Sequence, residues 1–411
     1  MNPIPVRVRR AALAAAAAAL LIAPAGTAGA VFAHGATAAP TPTPTTTAPV
    51  AADDTPFPQL TPAVAAKLDA AIAKTLRETK VPGAVVGLWA PGKGSYVKTF
   101  GVSDKATKAP MATDMNFRIG SETKTFTVTA LLQLVDQGKV GLDDPIGKYV
   151  AGVPNGDRIT LRELAGMRSG LYNYSEDPDF DKALLAGQTF TPQQLLDYSF
   201  KHGVQFAPDA EFEYSNTNLI LLGLVIEKIT GRPLRQVINE DVVKPAGLRH
   251  TLFPTGAEYP RPHPQGYTDD GGKSVDATDW DPSWAWAAGA MISDLEDLRS
   301  WAKTLATGTL LKPATQAQRL AVKPIGGIPG AGYGLGIFDV QGWIGHNGSL
   351  PGYESLTVYL PQERATMVVL LNTDSLVDGQ EPSTLFGEAI TSIVTPDHVY
   401  PGKKEPLTRP R

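Results

Sequence analysis

Ser121-Glu122-Thr123-Lys124, running on into Thr125 to Val135, is the stretch on which the reading of this chain turns. Phe126, Val128, Ala130, Leu131, Leu132, Leu134 and Val135 leave no polar stripe, which predicts a helix buried on every side. A lysine in the first turn of such a helix stands among apolar neighbours, where an uncompensated ammonium is costly. Residues three apart share a helix face, so the amine reaches the Ser121 hydroxyl. That contact activates a serine, which alone is a weak nucleophile at neutral pH. The helix N-terminus adds free backbone N–H groups and partial positive charge, suited to an oxyanion forming at the serine.

The same spacing recurs at Ser300-Trp301-Ala302-Lys303, and there it reads as structural. Leu295, Leu298, Ala302 and Leu305 mark one face of an amphipathic helix, with Ser300 and Lys303 largely off it. Burial context, not the bare S-x-x-K, separates the two copies.

Residues 1–30 carry Arg7, Arg9 and Arg10, an alanine and leucine core, and Ala28-Gly29-Ala30 as a cleavage site, the pattern of an export signal. The route, general secretory or twin-arginine, stays open. The expectation is a protein secreted to the extracellular space or cell wall, with no transmembrane anchor after cleavage. An Ala/Thr/Pro-rich linker follows at 31–57. A single two-lobed domain is expected over 58–400, with a helical lobe at about 121–324, and a short tail at 401–411. Cysteine is absent, which excludes disulfides and thiol chemistry. The formal charge of −4 becomes more negative once the signal arginines are removed, which excludes a basic nucleic-acid footprint. His34, His202, His250, His263, His346 and His398 lack ligand-like spacing, so neither a metal nor another cofactor is expected.

Five strand patterns stand at the two ends of the chain: Ala84 to Trp89, Tyr96 to Val102, Gly334 to Val340, Tyr353 to Leu360 and Thr366 to Leu371. Helices are expected at Pro62 to Glu78, Thr191 to Phe200, Asn218 to Ile229, Asp294 to Leu305 and Pro382 to Val394. The fold class is α+β: an antiparallel sheet of about five strands built from both chain ends, flanked by helices, with an inserted, mostly helical lobe. The alternating Gly330, Gly332, Gly334 and Gly336 precede a strand and not a helix, so they make no phosphate loop. No G-x-S-x-G nucleophile elbow occurs.

Two further elements complete a candidate site. Tyr214-Ser215-Asn216 enters the apolar helix near Asn218, and His346-Asn347-Gly348-Ser349 ends a glycine-rich strand pattern. Each alone reads as packing, a cap or a turn. With Ser121 and Lys124, in this order, they resemble the serine penicillin-recognising family of class C β-lactamases, secreted D-alanyl-D-alanine carboxypeptidases, D-aminopeptidases and related esterases. In that family S-x-x-K is followed by Y-x-N and by K-T-G or H-x-G. Ile159 to Leu164, Ser169-Gly170-Leu171, Leu221-Leu222-Gly223, Pro245 to Leu248 and Gly289 to Leu298 extend the resemblance from about Val81 to Asn372.

The resemblance implies a β-lactamase/transpeptidase-like fold and a monomeric serine hydrolase that forms an acyl-enzyme. Ser121, Lys124 and Tyr214 would be catalytic, and Asn216, His346, Asn347, Gly348 and Ser349 would bind substrate. Whether Tyr214 or Lys124 takes the serine proton stays open. Tyrosine serves as base only if nearby positive charge lowers its pKa from about 10, and Lys124 is the expected source. D-alanyl-D-alanine carboxypeptidase activity on peptidoglycan stem peptides, with penicillin binding, is the leading expectation. An esterase, a D-aminopeptidase, a β-lactamase and an inactive wall-binding module are the alternatives. His346 in place of lysine leans away from a β-lactamase, and Asn347 in place of threonine weakens recognition of a free carboxylate. Trp280, Trp284 and Trp286 either wall the cleft or pack in the core.

Overall fold

The computed structural model describes residues 57–326 and 328–400. The expected signal at 1–30, nearly all of the 31–57 linker and the 401–411 tail lie outside the described residues.

The sheet is assembled from the two chain ends, as expected, but with eight strands. We label them β1 (Gly83–Ala90), β2 (Gly94–Gly101), β3 (Lys323–Pro324), β4 (Ala331–Tyr333), β5 (Phe338–Val340), β6 (Trp343–Leu350), β7 (Tyr353–Leu360) and β8 (Ala365–Leu371). Their order is β2-β1-β8-β7-β6-β5-β4-β3, with antiparallel neighbours throughout. The strand expected from Gly334 to Val340 is interrupted, because Gly336 has a φ of +68° and turns the chain between β4 and β5. His346 to Ser349, expected as a strand end or turn, lies inside β6.

β1, β7 and β8 are buried at every position. Both faces are covered, so no apolar-polar alternation is needed. Helices α1 (Pro62–Thr79) and α5 (Pro382–Val394) pack together on one face. Helix α4 (Leu295–Thr307) lies on the other, where Ala302 and Ala306 meet Tyr359. Strand parity then assigns faces: Leu356 lies beside Gly387 of α5, while Tyr359 points to α4.

Residues 102–322 form the insertion. Helix α2 (Thr123–Asp136) is its centre, packed against helix α3 (Asn216–Thr230), the short helix Trp286–Gly289 and the helical turn Ile238–Val243. Every residue from Thr123 to Leu132 is buried, which is the all-round burial expected from the absent polar stripe. α4 behaves as its periodicity predicts: Leu295, Leu298, Trp301, Ala302 and Leu305 are buried, while Ser300 and Lys303 are exposed. Trp284 packs in the core, its ring 6.1 Å from that of Phe180. No helix among the described residues is long and apolar enough to cross a membrane.

Candidate active site

Ser121 sits in the 3-10 turn Gly120–Glu122, which runs directly into α2. Two glycines let that turn press against β6. Gly120 has a φ of +50°, and a Cβ there would lie 2.7 Å from the Ser349 backbone nitrogen. A Cβ on Gly348 would lie 1.9 Å from the Ile119 carbonyl oxygen, so no other residue fits. The Ser355 hydroxyl donates to that same carbonyl at 3.0 Å and locks the junction. The backbone N–H of Ser349 is thereby set beside the turn that carries Ser121.

Lys124 is fully buried. Its Nζ lies 2.8 Å from Ser121 Oγ and donates to the Ala288 carbonyl, also at 2.8 Å. Burial pushes its pKa well below the ordinary lysine range, and no carboxylate among the described residues forms an ion pair with it. An amine whose charged form is disfavoured in this way is suited to accepting the serine proton.

The Nζ also stands 4.9 Å from the centroid of the Tyr214 ring. The Tyr214 hydroxyl is buried beside Ser121 without closing a hydrogen bond of good geometry. Burial, reinforced by the neighbouring Tyr333, pushes the phenol well above its ordinary value. The lowering that a tyrosinate base requires is therefore reversed here, because burial disfavours the phenolate.

Asn216 is the first residue of α3, and its side-chain amide donates to Ser175 Oγ at 3.1 Å. Its backbone N–H donates to Asn173 Oδ1 at 3.0 Å, and Ser175 Oγ donates to the same oxygen at 3.0 Å. The loop carrying Asn173 and Ser175 is held by Ser169, whose hydroxyl donates to Asn218 Oδ1 at 2.6 Å and accepts from Leu171 N–H. The Ser169-Gly170-Leu171 segment is thus a brace for Asn216.

His346 is buried and faces the same side of the sheet as Gly348, its ring centroid 6.1 Å from that of Tyr214. Burial, with Lys124 next to it, pushes the imidazole down to about 3, so the ring is neutral at pH 7. Asn347 has the opposite parity. Its amide donates to Glu381, the residue capping α5, and so points away from Ser121. Of the residues singled out in the sequence, Ser121, Lys124, Tyr214, His346, Gly348 and the Ser349 backbone lie together, with Asn216 two residues beyond Tyr214; the Asn347 side chain points elsewhere.

Asn173, Ser175, Tyr333 and Glu122 were not singled out. The first two follow the Ser169-Gly170-Leu171 signal by a few residues, and Tyr333 lies inside the glycine-alternating stretch. Glu122 is an acid inside a buried turn, with the hydroxyls of Ser355 and Thr357 beside it but no hydrogen bond of good geometry. Burial pushes its pKa up to about 8, against which those hydroxyls act only partly. The folded state therefore holds a proton that the unfolded chain releases near the ordinary value of 4.5. Stability from this group is complete below that value and declines as pH rises towards about 8. Melting temperature measured across this range should fall, and Glu122→Gln should flatten the fall.

A family model described as Beta-lactamase matches residues 68–385. Among curated proteins, the chain is 27% identical over 278 residues to "Putative penicillin-binding protein PbpX" of Bacillus subtilis (strain 168), covering 67% of this chain. The chain spans 66% of that relative's own length, just under two thirds. Among solved structures, a D-stereospecific amidohydrolase from Streptomyces sp. aligns with a TM-score of 0.72 and 33% identity, over 80% of this chain and 97% of that one. D-amino acid amidase from Ochrobactrum anthropi SV3, complexed with L-phenylalanine amide, aligns with a TM-score of 0.70 and 28% identity, over 79% and 97%.

Proposed function

The chain belongs to the β-lactamase family of serine hydrolases, and from that premise we propose that it is a D-stereospecific amidohydrolase acylated at Ser121. The observation that carries this reading is the buried Lys124 amine 2.8 Å from Ser121 Oγ, its pKa pushed down by burial. Its lone pair takes the hydroxyl proton as the oxygen attacks the substrate carbonyl. The oxyanion is received by the backbone N–H groups of Ser121 and Ser349, at the start of α2 where the helix dipole adds to them. As the tetrahedral intermediate collapses, the proton on Lys124 passes to the departing nitrogen, with the Tyr214 hydroxyl as the relay. Water then attacks the acyl-enzyme as Lys124 takes its proton, and on collapse Lys124 returns that proton to Ser121 Oγ as the acid product leaves. Asn216, braced by Asn173 and Ser175, orients the substrate amide.

Substrate choice rests on what the site offers. His346 is neutral and Asn347 is turned to Glu381, so neither presents a cation or a free amide to a substrate carboxylate. That favours amides over peptides recognised through a free C-terminus, and the two amidohydrolase neighbours support it. The second reading is a D-alanyl-D-alanine carboxypeptidase acting on cell-wall peptides, supported by the penicillin-binding relative. Export through residues 1–30 fits either substrate, and sequencing the N-terminus of protein recovered from culture medium tests it.

One panel separates the readings: D- and L-amino-acid amides, a peptide ending in D-alanyl-D-alanine, a short acyl ester and a penicillin. Turnover of the D-amide with the L-amide rejected is the expected result. Faster release of D-alanine from the peptide would reassign the enzyme as a carboxypeptidase, and rapid penicillin hydrolysis as a β-lactamase. Failure to acylate with every member would leave only a binding module.

A further inference from the structure

Tyr333, on the short strand β4, is buried and places its hydroxyl 3.2 Å from His346 Nε2. On the other side of the imidazole, Nδ1 meets the Asn347 carbonyl oxygen. A carbonyl only accepts, so Nδ1 must carry the proton. In a neutral ring Nε2 then presents a lone pair, and the Tyr333 hydroxyl is the donor that satisfies it.

We infer that Tyr333 is a positioning residue for the proposed acylation: it fixes His346 in the Nδ1-protonated tautomer and, through the ring cluster it anchors, holds Tyr214 against Ser121 and Lys124. The packing supports this. Tyr333 meets Tyr214 edge-on with centroids 6.4 Å apart, meets Phe338 edge-on at 4.6 Å, and stands perpendicular to His346 at 5.9 Å. Phe338 in turn stacks parallel to Tyr214 at 6.4 Å and lies 4.8 Å from His346. Tyr333 is thus the member of the cluster whose polar atom is bonded to one site residue while its ring edge abuts another. The titratable groups around the imidazole are Lys124 from α2, Tyr214 ahead of α3 and Tyr333 from β4, and the lysine opposes protonation of the ring.

His346 so arranged has no N–H to offer the cleft. It does not donate to a substrate oxygen or to a leaving group; it is a wall whose orientation matters. This assignment rests on the serine-hydrolase reading for its kinetic consequence but not for its tautomer, so the two are tested apart. Nitrogen-15 NMR of the labelled full chain, with His346→Gln to assign the resonance, should show a neutral ring protonated at Nδ1 near pH 7. Tyr333→Phe keeps the ring packing and removes the donor. In that variant the Nε2 resonance should move towards that of a lone pair without a donor, and the ring should titrate at higher pH than in the parent. kcat on the preferred amide or ester should fall on the order of tenfold, with KM nearly unchanged.

An Nε2-protonated or cationic ring in the parent would overturn the assignment. So would a Tyr333→Phe protein with unchanged His346 resonances or undiminished kcat. A parent that acylates with no substrate would refute the functional reading instead, and the NMR result would stand by itself.

Discussion

Ser121→Ala should abolish covalent labelling: after incubation with penicillin or an activated ester, mass spectrometry of the variant should show no adduct where the parent shows one. Turnover should fall on the order of 10⁶-fold, the scale seen when a nucleophile is removed from a comparable serine hydrolase. Ser121 carries the hydroxyl that the Lys124 amine meets at 2.8 Å, and it stands at the head of α2, where the backbone donors are. The chain carries its own control. Ser300→Ala removes the other S-x-x-K serine, which is exposed, bonds only to the Glu296 carbonyl and faces away from the core, so labelling and rate should be unchanged. An adduct retained in Ser121→Ala would discredit the site.

The second large effect concerns Lys124. Lys124→Gln should reduce kcat/KM on the order of 10²–10⁴-fold, the range for losing a positioned base. Lys124→Arg discriminates further, because guanidinium stays charged at any working pH and cannot take a proton. If Lys124 acts as a base, arginine is as damaging as glutamine. If it acts only as a cation, arginine retains most of the rate. The pH profile carries the same sign: the unprotonated amine is the active form, so kcat/KM should be lost as pH falls through the Lys124 pKa, which lies well below 10.5.

Much of this was legible in the sequence because burial left a mark there. The uninterrupted apolar run after Lys124 announced α2, and Tyr353–Leu360 and Pro382–Val394 have the bounds their patterns gave. Three things were not legible. β3 and β4 are two or three residues long, too short to show a period, whereas β5 is the part of the expected Gly334 to Val340 strand that forms. β6 reads Trp-Ile-Gly-His-Asn-Gly-Ser-Leu, a composition that local preference assigns to a turn; pairing with β7 from Ile344 to Leu350 overrides it. The direction of Asn347 follows from strand parity, and parity has no meaning until the segment is known to be a strand. The phenol of Tyr214 adds to these: the sign of its pKa shift is set by its own burial, which only the three-dimensional structure shows.

The pairing of Ala84 with Leu371 joins positions almost at opposite ends of the described chain. Until the last strand has left the ribosome, β1 can find only β2, and β6 and β7 lack the strand that joins them to it. Such distant partners make for slow folding. A sheet that closes only when β8 arrives would leave the chain threadable in the meantime, which suits the proposed export, and would keep the proposed nucleophile idle on the way.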